Sequence, residues 1–370
     1  VRVVIGTGGT AGHVFPAVAT AARLRDRLDA DVVFLGRAQG QEAELVPAAG
    51  FRLETVEAVP FRRALSLATL RAPLAALRAA AACRPLVRDA DVVLGMGGYV
   101  SVPVSLAARR ERVPLVLHEQ NALPGLANRL AARWARVVAL SFLEAGRRLP
   151  RRVRTSLTGN PVREAVLRVR EDRDALADEA RAVLGLEAGR QTVVILGGSQ
   201  GALRLNHAGV ELCRILADRS DLQVLLISGP PHHDAVRAHI PPTRGLLVRS
   251  APFVERMELV YAVADMTVAR AGAGTVAELT VCGVPAILVP YPYATGRHQE
   301  ANARAVERAG GAMVILDDAA SGGAVAERLE PLLDDPAGLE SMARLSLRFG
   351  RPDAADALAD LAASEAGSAQ

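Results

Sequence analysis

The chain has 370 residues, half of them hydrophobic and 23% charged, a globular composition with room for two domains and no need of disulfide or metal staples. Seven Phe, four Tyr and one Trp are too few for the stacking platforms of single-strand nucleic-acid readers, so no nucleic-acid partner is expected. There is no lysine, and the charge is lopsided: residues 1–163 hold 24 Arg against 12 acids, residues 164–370 hold 20 against 28, so the first half suits an anionic partner.

The chain opens on a strand pattern, Val1-Arg2-Val3-Val4-Ile5, rather than on a basic stretch with an apolar core, so no secretory leader is expected. Arginines interrupt every apolar run before it reaches the length of a membrane span. After the first strand, predicted at 2–6, Gly6-x-Gly8-x-x-Ala11 fits a dinucleotide fingerprint. The second strand, predicted at 31–35, is followed by Arg37 where a ribose-binding acid is wanted, which leaves an NADP-type site as one reading. His13 sits at the mouth of the next helix. It is either a proton acceptor, kept neutral by the positive helix end, or a plain capping residue.

Residues 58–88 carry six Arg and no acid, interleaved with Phe61, Leu65, Leu67, Leu70, Leu74 and Leu77. This reads as an interfacial segment drawn to anionic lipid, against the blander reading of a solvated helix face. Strands follow at 91–95, 114–117 and 136–140. The second of these runs into His118-Glu119-Gln120-Asn121, four polar residues where open α/β sheets place ligands. Turn residues at Gly159-Asn160-Pro161 divide an expected domain 1–160 from another at 161–350.

In the second half strands are predicted at 192–196, 222–227, 265–268, 285–289 and 312–315. Gly197-Gly198-Ser199-Gln200-Gly201 echoes the opening loop, as a packing turn or a phosphate-binding helix start. A third loop, 270–275, opens the helix that carries Glu278. That carboxylate either takes the hydroxyls of a ribose or complements the helix dipole. Arg297-His298-Gln299-Glu300 again places polar side chains after a strand, and a last helix, about 353–366, is expected to pack back on the first domain. Near-continuous apolar strands alternating with helices predict two doubly wound parallel sheets. Three scattered cysteines suggest a reducing compartment. The Asp-x-Asp triplets at 29–31, 89–91 and 172–174 read as ordinary structure, and His232-His233 lacks the spacing of a closed metal site.

Taken together, Gly8-Gly9-Thr10-Ala11-Gly12-His13, Gly95-Met96-Gly97-Gly98-Tyr99, His118-Glu119-Gln120-Asn121, Gly159-Asn160-Pro161-Val162-Arg163, Gly197-Gly198-Ser199-Gln200-Gly201 and His298-Gln299-x-x-Asn302 resemble, in order, the MurG family of bacterial N-acetylglucosaminyltransferases. The resemblance runs from the first strand to about residue 350. It implies a GT-B fold, two Rossmann-like domains with an inter-domain cleft. It also implies inverting transfer of GlcNAc from UDP-GlcNAc to the C4 hydroxyl of the muramyl sugar in lipid I, with no cofactor and no metal. By that likeness Ser199, Val254, Ala273, Gly274, Thr275, Val276, Ala277, Glu278 and Gln299 hold the donor in the second domain. Thr10, Ala11, Gly12, Asn121 and Arg163 close over it from the first. His13 is the catalytic candidate, with Tyr99 and Glu119 on the acceptor side. The resemblance further implies a peripheral protein on the cytoplasmic face of the membrane, bound through segment 61–88, with partners in cell-wall synthesis. Two departures stand out: Ala11 where a glycine is usual, and Gly296-Arg297 where an acid is common.

Overall fold

A computed structural model describes residues 1–56 and 67–367, without the side chains of 67–73 and Tyr99. Residues 57–66, which include the start of the basic segment with Phe61, Arg62, Arg63 and Leu65, thus lie outside the described residues. The chain forms two compact units, Val1–Arg163 with Pro352–Gln370, and Glu164–Arg351.

The first unit is built on a seven-stranded sheet of β1 (Arg2–Gly6), β2 (Asp31–Gly36), β3 (Arg52–Thr55), β4 (Val92–Gly95), β5 (Leu115–Glu119), β6 (Val137–Leu140) and β7 (Thr155–Leu157). All neighbours are parallel, in the order β3-β2-β1-β4-β5-β6-β7. Side chains alternate between its two faces, and both faces are covered. Val3 and Ile5 join the core under the helix Ala11–Leu28, whereas Val4 joins the opposite core with Cys83, Val100 and Val104. The last helix, Ala354–Gly367, packs on Ala11–Leu28 and adds Leu358, Ala359, Ala362 and Ala366 to the first of these cores. Full burial of a leucine such as Leu358 stabilises this docking by about 2 kcal/mol. Arg27 reaches Asp356 at 2.7 Å, and Arg154 pairs with Glu365.

The second unit repeats the plan with β8 (Gln191–Leu196), β9 (Leu222–Ile227), β10 (Leu247–Ala251), β11 (Met266–Ala269), β12 (Ala286–Leu288) and β13 (Ala312–Val314). The order is β10-β9-β8-β11-β12-β13, again parallel throughout. The strand order reverses at the same place in both units, next to the first strand.

Three strands are absent from the sequence-based expectation: β3, β7 and β10. Each is an edge strand with no fully buried residue. The apolar run that marks an interior strand is therefore missing from them. Two of the aspartate triplets have structural roles: Asp29 is the left-handed cap of the helix Ala11–Leu28, and Asp91 accepts the Arg2 amide at 2.8 Å.

Candidate active site

In the first unit β1 and β4 are neighbours, yet the helices that follow them cover opposite faces. This is the topological switch point at which open α/β sheets bind ligands. The loops after Gly6 and Gly95 meet there. Gly98 has φ +77°, and a Cβ on it would lie 2.1 Å from the Gly8 carbonyl oxygen and 3.3 Å from the His13 ring. Only glycine permits this approach. His13 is half-buried in the first turn of its helix, with its ring against the Gly97–Gly98 backbone. Its Nδ1 lies 2.8 Å from Gln120 Oε1, and the Gln120 amide donates to the Met96 carbonyl at 3.4 Å.

Beneath the opening loop Glu42 is fully buried. Its carboxylate accepts the amides of Gly9 (3.2 Å) and Arg37 (3.0 Å), while Gln41 accepts the amide of Ala11. Thr10 and Gly12 are exposed and Ala11 is half-buried. Arg163 lays its guanidinium over the Phe15 ring, 4.7 Å from the centroid, beside the helix that starts at Ala11. Tyr99 falls in the first turn of the helix Gly98–Glu111, and its side chain is outside the described part.

The His118–Asn121 tetrad divides its labour. His118 is buried, with Nε2 2.9 Å from the Gly159 carbonyl oxygen, and burial pushes its imidazole down to about 4. Glu119, expected on the acceptor side, is 2% exposed. Its two oxygens accept from the amides of Asn121 (2.9 Å) and Gly125 (3.1 Å) and from the Asn128 side chain (2.8 Å). Burial raises this carboxyl, opposed by those donors. Glu119 thus shapes the loop 121–128 from below, which leaves Asn121, half-buried, as the more accessible member.

In the second unit the corresponding switch point brings together the loops after β8 and β11, which are paired strands. Ser199 is exposed on a turn closed by the Gly201 amide donating to Gly198 at 2.9 Å. Gly201, at φ +74°, lies against Ser228, where a Cβ would come 2.0 Å from the carbonyl oxygen. The helix Ala273–Cys282 starts from an extended Gly272. Ala273 and Val276 are buried, so this turn presents Gly274, Thr275 and Ala277, with no atom within 4 Å of a Cβ placed on Gly274. Glu278 accepts a hydrogen bond from the buried Tyr261 hydroxyl at 2.8 Å. Val254 follows β10 and is half-buried.

Gln299 accepts the Tyr291 amide at 3.0 Å. Arg270 pairs with Asp317 at 2.6 Å and donates to the carbonyls of Val289 (3.1 Å) and Pro290 (3.3 Å), fixing that same loop. Ser199, Ala273–Glu278 and Gln299 therefore all lie beyond the carboxyl ends of their strands. Arg297, the unusual residue ahead of His298, pairs with Glu300 at 2.8 Å. Among the described residues no group of three or more His, Cys, Asp or Glu is placed to hold a metal ion.

Two residues escaped the sequence reading of the site, Glu42 under the first loop and Tyr261 at Glu278. Gln120 and Arg270 fell inside the polar tetrad and the third loop, but their partners there, His13 and Asp317, were not foreseen.

Two family models match the chain: the glycosyltransferase family 28 N-terminal domain over residues 3–140 and its C-terminal domain over 192–358. A relative from Halothermothrix orenii is 40% identical over 369 residues, 97% of this chain and 98% of its own length. One from Clavibacter sepedonicus is 42% identical, covering 96% of this chain and 94% of its own length. Both are named UDP-N-acetylglucosamine–N-acetylmuramyl-(pentapeptide) pyrophosphoryl-undecaprenol N-acetylglucosamine transferase. Among solved structures, Acinetobacter baumannii MurG superposes with a TM-score of 0.79 at 28% identity, over 98% of this chain and 99% of its own. A Neisseria meningitidis UDP-GlcNAc 2-epimerase reaches 0.69 at 12% identity, over 97% of this chain and 98% of its own, and shares the fold alone.

Proposed function

We infer the function from one premise: this chain belongs to glycosyltransferase family 28. It transfers N-acetylglucosamine from UDP-N-acetylglucosamine to N-acetylmuramyl-(pentapeptide) pyrophosphoryl-undecaprenol, converting lipid I to lipid II in peptidoglycan synthesis. The observation that carries this reading is 40% identity across 97% of the chain to a relative named for that reaction.

The donor nucleotide is the ligand of the second unit. Leaving UDP gains negative charge, and the amino end of the helix Ala273–Cys282 together with the Ser199 turn offers N–H groups and a positive dipole to receive it. Glu278, held by the Tyr261 hydroxyl, accepts from the ribose hydroxyls. The backbone at Val254 faces the uracil, and Gln299 addresses the sugar. In the first unit His13 takes the proton from the C4 hydroxyl of the muramyl acceptor as that oxygen attacks the anomeric carbon from the side opposite UDP, with inversion. Thr10, Ala11, Gly12, Asn121 and Arg163 steady the donor from the first unit. Tyr99 belongs to the acceptor side, where Glu119 acts through the loop it holds.

No helix among the described residues is long and apolar enough to cross a membrane. The acceptor named in the relatives is nevertheless a polyprenyl lipid, and the first unit is read as its peripheral, cytoplasmic-face partner. Two features support this. Leu74 and Leu77 are exposed on the basic helix Leu67–Arg88. A recess of about 360 Å³ at the amino ends of β5 and β6 is lined by Arg109, Arg112, Arg133 and Arg136 beside Trp134.

Incubation with UDP-GlcNAc and a soluble lipid I analogue tests the reading. Acceptor-dependent release of UDP with formation of the disaccharide is the expected result. Conversion of the donor to a ManNAc product without acceptor would overturn it in favour of an epimerase.

A further inference from the structure

We propose that Gln120 is a positioning residue that fixes the tautomer of His13, so that Nδ1 carries the proton and Nε2 the basic lone pair. The proposal rests on the reading of His13 as the proton acceptor, and goes beyond it by naming the group that makes His13 competent.

The Met96 oxygen can only accept, so the end of the Gln120 amide that faces it at 3.4 Å is the NH2. The other end, Oε1, is then turned to His13 Nδ1 at 2.8 Å. Oε1 can only accept as well, so the bond forms when Nδ1 bears hydrogen. A neutral imidazole has one N–H, so Nε2 keeps its lone pair to receive the acceptor's hydroxyl proton. After that transfer both nitrogens carry hydrogen, and the bond to Gln120 survives unchanged.

The elements that set this chain are rigid. Met96 is fully buried directly after β4, Gln120 is 3% exposed directly after β5, and the two strands are paired. The His13 ring is confined by Gly97 and Gly98. The relay therefore spans three adjacent strands, β1, β4 and β5, at their carboxyl ends. In serine hydrolases a carboxylate does this work, and a wrong tautomer there costs on the order of 10⁴ in kcat. An amide orients the ring without adding a charge beside it.

The test is 15N NMR of the histidine-labelled protein without substrate, with steady-state kinetics on the same samples. Wild-type His13 should show Nδ1–H with an unprotonated Nε2. Gln120→Leu should shift the ring toward the Nε2–H form and lower kcat by about tenfold or more, with the donor KM within about twofold. Gln120→Glu restores an acceptor for Nδ1–H and should recover the Nδ1–H signature. An Nε2–H tautomer in the wild type, or the same tautomer in wild type and Gln120→Leu, overturns the proposal. If the wild type is Nδ1–H but His13→Ala retains full turnover, the positioning stands and it is the proton-acceptor reading that fails.

Discussion

Lowering the pH from 7 to 5 should destabilise the first unit by about 2 kcal/mol through His118 alone. The residue is wholly buried, donates from Nε2 to the Gly159 carbonyl, and has its imidazole pushed by burial from 6.5 to about 4. Below pH 6.5 the unfolded chain takes up a proton that the folded chain refuses until about pH 4. The folded value is the depressed one, so stability is level above that window and falls as pH drops through it. The gap amounts to about 3 kcal/mol over the whole window, about two-thirds of it reached by pH 5.

Urea unfolding followed by fluorescence of Trp134 isolates the effect, because the chain has one tryptophan and it lies in the first unit. His118→Gln keeps a donor for Gly159 but takes up no proton. Wild type should therefore lose about 2 kcal/mol more than His118→Gln between the two pH values. The neighbouring Glu119, whose carboxyl burial raises, favours stability at low pH instead; it is present in both proteins and cancels. Equal losses in the two proteins would refute the reasoning.

Two further outcomes are expected. Gly98→Ala forces a Cβ against the Gly8 carbonyl at φ +77°, whereas Gly9→Ala, at φ +107° with no atom within 4 Å, meets only backbone strain. The first should cost at least about 2 kcal/mol more than the second by the Trp134 midpoint and abolish turnover. For the membrane-facing reading, Arg78→Glu/Arg133→Glu/Arg136→Glu should weaken partition onto phosphatidylglycerol vesicles by at least about tenfold while sparing UDP affinity, and unchanged partition would sink it.

Interior strands were legible because burial on both faces writes an apolar run into the sequence, as in Val193-Val194-Ile195-Leu196. The edge strands Arg52–Thr55, Thr155–Leu157 and Leu247–Ala251 have a neighbour on one side only and carry no such mark. The glycine loops were legible for a related reason: close backbone approach excludes side chains, and Gly98 against Gly8 is the physical counterpart of that pattern. Partnerships were not legible. Gln120 is 107 residues from His13, and Glu42 is 33 from Gly9, so only the strand order brings them together. The tetrad His118–Asn121 was visible as a unit, but the burial of its first three members, with Asn121 left half-buried, comes from the cover on both faces of β5 and the return of loop 121–128.

Paired binding and turnover measurements on His13→Ala and Glu278→Ala test most directly the proposed division of labour, chemistry in the first unit and nucleotide binding in the second. His13→Ala should bind UDP-GlcNAc with wild-type Kd and lose about 10²-fold or more in kcat with the lipid I analogue. Glu278→Ala should weaken UDP-GlcNAc binding and raise the donor KM. Loss of nucleotide affinity in His13→Ala with kcat retained, or unaltered donor binding in Glu278→Ala, would contradict it.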